Sequence, residues 1–124
     1  MIRILLAEDN DEMRSYLTIA LEKAGHFVTA VDRGTKAVPF LETEHFDLLL
    51  SDIVMPEMDG IELAQRCSDI SPLTRVMFIT GFAAVALKAG REMPRTKTLS
   101  KPFHLKDLIT EVERMFEDTA FASL

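Results

Sequence analysis

Side chains that hold cations or phosphoryl groups recur in this chain at the ends of short strand-like runs. Glu8 and Asp9 follow residues 2–7, Asp52 follows residues 46–51, Thr80 follows residues 76–79, and Lys101 lies just past residues 96–99. No rule of core packing calls for that recurrence. Three carboxylates brought together repel one another, and a cation is needed for all of them to stay ionised near neutral pH. Hard oxygen ligands suit Mg2+, which takes one or two protein carboxylates and keeps its remaining positions for water and phosphate. The Thr80 hydroxyl and the Lys101 ammonium would then serve a phosphoryl oxygen. Together the set describes phosphoryl transfer, with Asp52 as the carboxylate nucleophile that forms an aspartyl phosphate.

Each member also has an ordinary use. Asp52 and Pro56 suit a turn at a strand end. Glu8-Asp9-Asn10 suits a helix N-cap, Thr80-Gly81 a strand exit, and Lys101-Pro102 a surface turn. The four together, in order, are more specific than any one.

Such groups converge only if the runs before them are neighbouring parallel strands. Residues 2–7, 46–51 and 76–79 are short, largely apolar and bounded by turn residues, the pattern of strands buried on both faces, while 27–31 is a more weakly patterned strand and 96–99 a brief one. Met13, Leu17, Ala20, Leu21 and Ala24 share one helical face before Gly25, as do Leu105, Leu108, Ile109, Val112 and Phe116. Between them, residues 36–43 predict a helix shortened or kinked by Pro39, and residues 59–69 a helix stopped by Ser71-Pro72. Residues 82–89 predict a helix ended by Gly90 and Pro94, and residues after Asp118 are expected to fray. Five strands alternating with five helices imply an α/β fold, a flavodoxin-like (βα)5 doubly wound parallel sheet of strand order 2-1-3-4-5. Its switch point lies between the first and third strands, where Glu8, Asp9 and Asp52 would meet.

A chain of 124 residues suits one domain with one core, so any output is expected from that domain itself, without a DNA-binding domain. Hydrophobic residues make up 48% and charged residues 27%, which fits a globular protein. With 14 basic and 20 acidic residues the net charge is -6, which argues against general attraction to nucleic acid or to an anionic membrane. Cys67 has no partner for a disulfide, no Cys/His cluster has zinc-site spacing, and no secretion signal precedes the first strand, so a cytoplasmic protein is expected. One stretch runs against the overall charge: residues 88–97 hold Lys88, Arg91, Arg95 and Lys97 against Glu92 alone.

The run Ile4-Leu5-Leu6-Ala7-Glu8-Asp9-Asn10, the segment Asp52-Ile53-Val54-Met55-Pro56-Glu57-Met58-Asp59-Gly60, the pair Thr80-Gly81 and the run Lys101-Pro102-Phe103 resemble the receiver domain of bacterial two-component response regulators. The resemblance extends from Ile2 to about Phe116, making residues 1–118 a receiver domain and 119–124 a C-terminal tail. It implies that Asp52 is the phosphoacceptor, that Asp9, Asp52 and the Val54 backbone carbonyl bind Mg2+ directly, and that Glu8 acts largely through water. It also implies that Thr80 is the switch hydroxyl, that Lys101 binds the phosphoryl group, and that the Lys101-Pro102 bond is cis. A histidine kinase or a histidine phosphotransfer protein is the implied donor. The opening run, residues 52–56 and Thr80-Gly81-Phe82-Ala83-Ala84 are most similar to single-domain members of the family. That similarity implies the ClpXP protease as a partner, with the unphosphorylated form as its adaptor. One position departs from the family: three residues before the lysine, where an aromatic is usual, stands Thr98.

Two other readings compete. An aspartate-nucleophile phosphatase on a similar scaffold would place a second catalytic aspartate two residues after the nucleophile, where this chain has Val54. A phosphate sink that drains a relay without any binding output would carry the same motifs as an adaptor.

Overall fold

The computed structural model describes the backbone of residues 1–122 and the side chains of residues 1–117. Strands and helices alternate throughout: β1 (Arg3–Ala7), α1 (Asp11–Lys23), β2 (Phe27–Val31), α2 (Gly34–Thr43), β3 (Leu48–Asp52), α3 (Gly60–Ile70), β4 (Arg75–Thr80), α4 (Ala83–Glu92), β5 (Lys97–Ser100) and α5 (Leu105–Ala122). The strands form one parallel sheet in the order β2-β1-β3-β4-β5, the flavodoxin-like order expected.

Alternation along each strand divides the core between the two faces of the sheet. Ile4, Leu6, Leu48, Leu50, Met77 and Ile79 pack with Leu17 and Leu21 of α1 and with Leu108 and Val112 of α5. The residues between them, Leu5, Ala7 and Leu49, face Ala37 and Leu41 of α2 and Leu63 and Cys67 of α3. Phe78 carries that second face on toward Ile61 and Ala64 of α3 and Ala89 of α4. Because both faces are covered, β3 reads as an unbroken apolar run. Each of its fully buried leucines, 48 to 50, contributes about 1.5–3 kcal/mol relative to exposure.

Helix starts follow their caps. The Asn10 side-chain oxygen accepts from the Met13 amide at 2.8 Å, and Asp59 accepts from the Glu62 amide at 2.8 Å. α1 closes at Ala24, followed by Gly25 at φ +98.

Some boundaries differ from the sequence reading. α2 begins at Gly34, so Pro39 falls inside the helix and leaves the Thr35 carbonyl without its usual intrahelical donor. Gly90 does not end its helix; α4 continues to Glu92, and Met93-Pro94 stops it. α5 runs to Ala122, past the expected boundary at Asp118, and residues 123 and 124 of the expected tail lie outside the described residues. No described helix is long and apolar enough to cross a membrane.

Candidate functional site

All five strands run the same way, so their C-terminal ends form one rim. Pairing aligns Ala7 with Ser51, Asp52 with Ile79, and Thr80 with Ser100. The residues just after or at these positions are Glu8, Asp9, Asp52, Thr80 and Lys101. The register therefore converts sequence positions far apart into one crevice.

Carboxylate oxygens of Glu8, Asp9 and Asp52 lie within 4.8 Å of one another. Glu8 is fully buried, Asp52 nearly so, and Asp9 is exposed. The acidic loop after β1 thus splits its tasks: Asn10 caps α1, while Glu8 turns into the crevice. Glu8 Oε2 accepts from the Asn10 amide at 3.2 Å. Lys101 Nζ donates to Glu8 Oε1 at 3.0 Å and to Asp52 Oδ2 at 3.2 Å, so one ammonium bridges two acids. The Lys101-Pro102 bond is cis, as the resemblance implied. Thr80 is buried, and its Oγ1 accepts from the Phe82 amide at 3.2 Å. The Lys101 amide donates to the Thr80 carbonyl at 2.7 Å, coupling the ends of β4 and β5. The Val54 amide approaches Asp52 Oδ1 at 3.3 Å.

Burial, and then the charge of Asp52, raise the Glu8 pKa from 4.5 to about 7, even though the Lys101 and Asn10 hydrogen bonds pull it down. For Lys101 burial works against the charge, but Glu8 and Asp52 outweigh it and hold the ammonium above its usual range. Three acids against one base leave the crevice short of positive charge. Oxygen-only donors with that deficit fit a hard divalent cation such as Mg2+.

A pH dependence follows. Glu8 binds its proton more tightly in the folded chain than in the unfolded chain, so without metal it destabilises the fold increasingly as pH rises from about 4.5 to about 7, and levels off above. A bound cation offsets this penalty. Added Mg2+ is therefore expected to raise the melting temperature much more at about pH 8 than at about pH 5. Metal-free Glu8→Gln should lack the Glu8 part of the decline, and an unchanged pH profile in that variant would remove Glu8 from the account.

Two supporting residues, Arg14 and Gly60, had no role assigned to them from sequence. Arg14 donates to the Glu8 carbonyl at 3.0 Å and to Asp11 at 2.7 Å, bracing the acidic loop from the first turns of α1. Gly60 lies against the backbone of Asp52: a Cβ built on it would sit 2.1 Å from the Asp52 carbonyl oxygen. Its place directly after an N-cap aspartate was the available signal. The Arg14 contact spans six residues from helix to loop and has no local signature.

The family model for the response regulator receiver domain matches residues 4–113, from the first strand well into the last helix, and the chain belongs to that family. Among its relatives is the response regulator receiver protein CpdR of Brucella abortus (strain 2308), 60% identical over 116 residues that make up 93% of this chain and 97% of that protein. The sensor kinase CckA of the same organism is 35% identical over 119 residues, 92% of this chain but 12% of the kinase. A crystal structure of a response regulator receiver protein from Sinorhizobium medicae WSM419 superposes with a TM-score of 0.84 at 33% identity, covering 91% of this chain and 92% of that one. Receiver domains bind Mg2+ at an acidic pocket, and this chain brings Glu8, Asp9 and Asp52 together as an acidic cluster at its strand ends.

Proposed function

We propose that the chain is a single-domain response regulator in which phosphorylation of Asp52 switches a protein-binding surface. The observation that carries this reading is the Lys101 ammonium bridging Glu8 and Asp52 beside Asp9, a layout suited to holding a phosphoryl group next to a carboxylate nucleophile. An Asp52 oxygen attacks the phosphorus of a phosphohistidine on a histidine kinase or a histidine phosphotransfer protein. The new bond is P–O, the P–N bond breaks, and the imidazole leaves with the electron pair and takes up a proton. Asp9, Asp52 and the Val54 carbonyl would hold Mg2+, with Glu8 acting through water, and the ion would supply positive charge to the phosphoryl oxygens. Lys101 moves with those oxygens, and the Thr80 hydroxyl donates to them in place of its present bond with the Phe82 amide. The chain handles only its own aspartyl phosphate and is not an enzyme in the usual sense.

The output reading rests on position. Phosphate would be sensed at Thr80 and Lys101, and α4 together with the basic residues Lys88, Arg91, Arg95 and Lys97 lies between them in the chain. Thr98, at the position where the family usually has an aromatic, pairs in register with Phe78. The signal is therefore carried by the backbone of residues 81–90 and by Phe82, biasing two arrangements of this segment. By similarity to single-domain regulators, the unphosphorylated form serves the ClpXP protease as an adaptor in the cytoplasm. Labelling of the full chain by a small acyl phosphate with Mg2+, and its loss with a chelator, tests the input. Capture of ClpX from purified components, with and without the donor, tests the output. Equal capture in both states would leave a phosphate sink as the reading.

Val54 and Phe82 are 46% and 59% exposed, apolar, and each two residues beyond Asp52 or Thr80. Neither offers a polar group to orient an attacking water, so hydrolysis of the acyl phosphate is expected to be slow for a receiver. Val54→Asn or Phe82→Glu should speed loss of label by about three- to tenfold, below the ~10²-fold of a fully positioned general base. Decay rates equal to the parent in both variants would show that water is not ordered from these positions.

A further inference from the structure

The loop between β3 and α3 is fastened at its base beside Asp52. The Ile53 amide donates to the Ile79 carbonyl at 3.2 Å, and the Gly60 amide donates to the Ile53 carbonyl at 2.7 Å. At its tip Glu57 has φ +70, a left-handed conformation that costs a residue with a Cβ about 1–2 kcal/mol. That strain persists only where surrounding contacts impose it. The contacts come from the corner between β2 and α2. Arg33 Nη1 donates to Glu57 Oε1 at 2.8 Å and Thr35 Oγ1 donates to Glu57 Oε2 at 3.3 Å, so both carboxylate oxygens are held. Arg33 is oriented in turn by Asp32, whose Oδ1 accepts from Nε at 3.2 Å and pairs with Lys36 at 3.0 Å. Under this network Gly34 approaches Met58 so closely that a Cβ would lie 3.2 Å from its carbonyl oxygen.

We propose that Arg33 is a positioning residue: acting through Glu57, it holds the β3–α3 loop in the shape that presents the Val54 carbonyl to the bound cation. This rests on the reading of Val54 as a metal ligand. A guanidinium suits the task because its planar fork engages two acids at once, Asp32 behind and Glu57 ahead. Exposed ion pairs contribute at most about 1 kcal/mol to folding. The effect therefore falls on metal affinity, through the loop, and not on whether the chain folds.

Mg2+ is titrated into the full chain by calorimetry, and labelling by acetyl phosphate is followed across the same Mg2+ range. A parent chain that neither binds Mg2+ nor labels would overturn the phosphoacceptor reading itself, whatever the variants do. Given a parent that does both, Arg33→Ala should weaken Mg2+ binding by about three- to fivefold, within what one exposed pair supplies, with the labelling rate at saturating Mg2+ unchanged. Glu57→Gly relieves the left-handed strain, so it should lose Mg2+ affinity to the same extent without a lower melting temperature. Arg33→Lys keeps the charge but not the planar fork that holds Asp32 and Glu57 together, so its affinity should fall between those of the parent and Arg33→Ala. The proposal fails if Arg33→Ala binds Mg2+ as the parent does, or if its saturating rate falls with affinity intact.

Discussion

Asp52→Asn is expected to abolish labelling by a phosphodonor and, at the same time, to make the metal-free chain melt at a higher temperature. The two results point in opposite directions for one physical reason. Asparagine keeps the shape of the side chain, and its oxygen can still accept a hydrogen bond from Lys101. It removes the nucleophilic carboxylate, and with it one of three negative charges confined to the crevice. The charge of Asp52 is second only to burial in raising the Glu8 pKa, so Glu8 should then ionise more readily and its share of the pH-dependent instability should shrink. Added Mg2+, which is expected to stabilise the parent by binding the folded state alone, should stabilise the variant much less. Labelling and melting with and without Mg2+ separate the outcomes. Undiminished labelling would place the nucleophile elsewhere, while a lower metal-free melting temperature would mean that the Lys101–Asp52 pair outweighs the repulsion.

Gly60→Ala is expected to be the most damaging single methyl group near the site. Its backbone is ordinary helix, so conformational freedom is not what requires glycine here. Space is the reason: the added Cβ would meet the Asp52 carbonyl oxygen at 2.1 Å, the Ile53 Cα at 2.9 Å and the Asp52 carbonyl carbon at 3.0 Å. All three are backbone atoms and cannot rotate away. α3 and the end of β3 must separate, which strains the 2.7 Å bond from the Gly60 amide to the Ile53 carbonyl and shifts Asp52 relative to Glu8 and Lys101. Overpacking of this kind costs about 1–3 kcal/mol or more, and Mg2+ binding should weaken with it. Gly90→Ala serves as the contrast. A Cβ there meets nothing within 4 Å, so the same change inside α4 should stabilise by about 0.5–1 kcal/mol. Denaturant melts of the two variants decide both, and equal stability would refute the packing argument.

The strands and the crevice were legible because both rest on local patterns. Central parallel strands are largely apolar, and the edge strand β2, though mostly unburied, was bounded to the residue from its sequence alone. The acidic and basic positions stand out because each sits at the end of a strand and the topology carries them to one rim. Helix ends were less legible where two signals compete. Gly90 and Pro94 both looked like stops, yet Gly90 lies on an exposed side of α4 where its cost as an interior residue is about 1 kcal/mol, and Met93-Pro94 alone ends the helix. Arg14 on the Glu8 carbonyl and Arg33 on Glu57 were not legible at all. Such contacts depend on side chains from separate elements reaching one loop, and neither periodicity nor turn chemistry encodes them.

α4 places a single residue, Ala89, fully in the core, whereas α1 buries two and α3 five. Val85 packs against that core only in part, and Leu87 faces outward. A helix anchored so lightly has a small reserve of local unfolding free energy. Its amides should therefore exchange with deuterium before those of α1 and α3, without the whole chain opening. Protection in α4 equal to that in α3 would show that the helix is tied down by more than its core contact. Little work is then needed to redistribute its conformers, since about 1.4 kcal/mol shifts an equilibrium tenfold. The proposed switch asks no more than that of a phosphoryl group on the neighbouring rim.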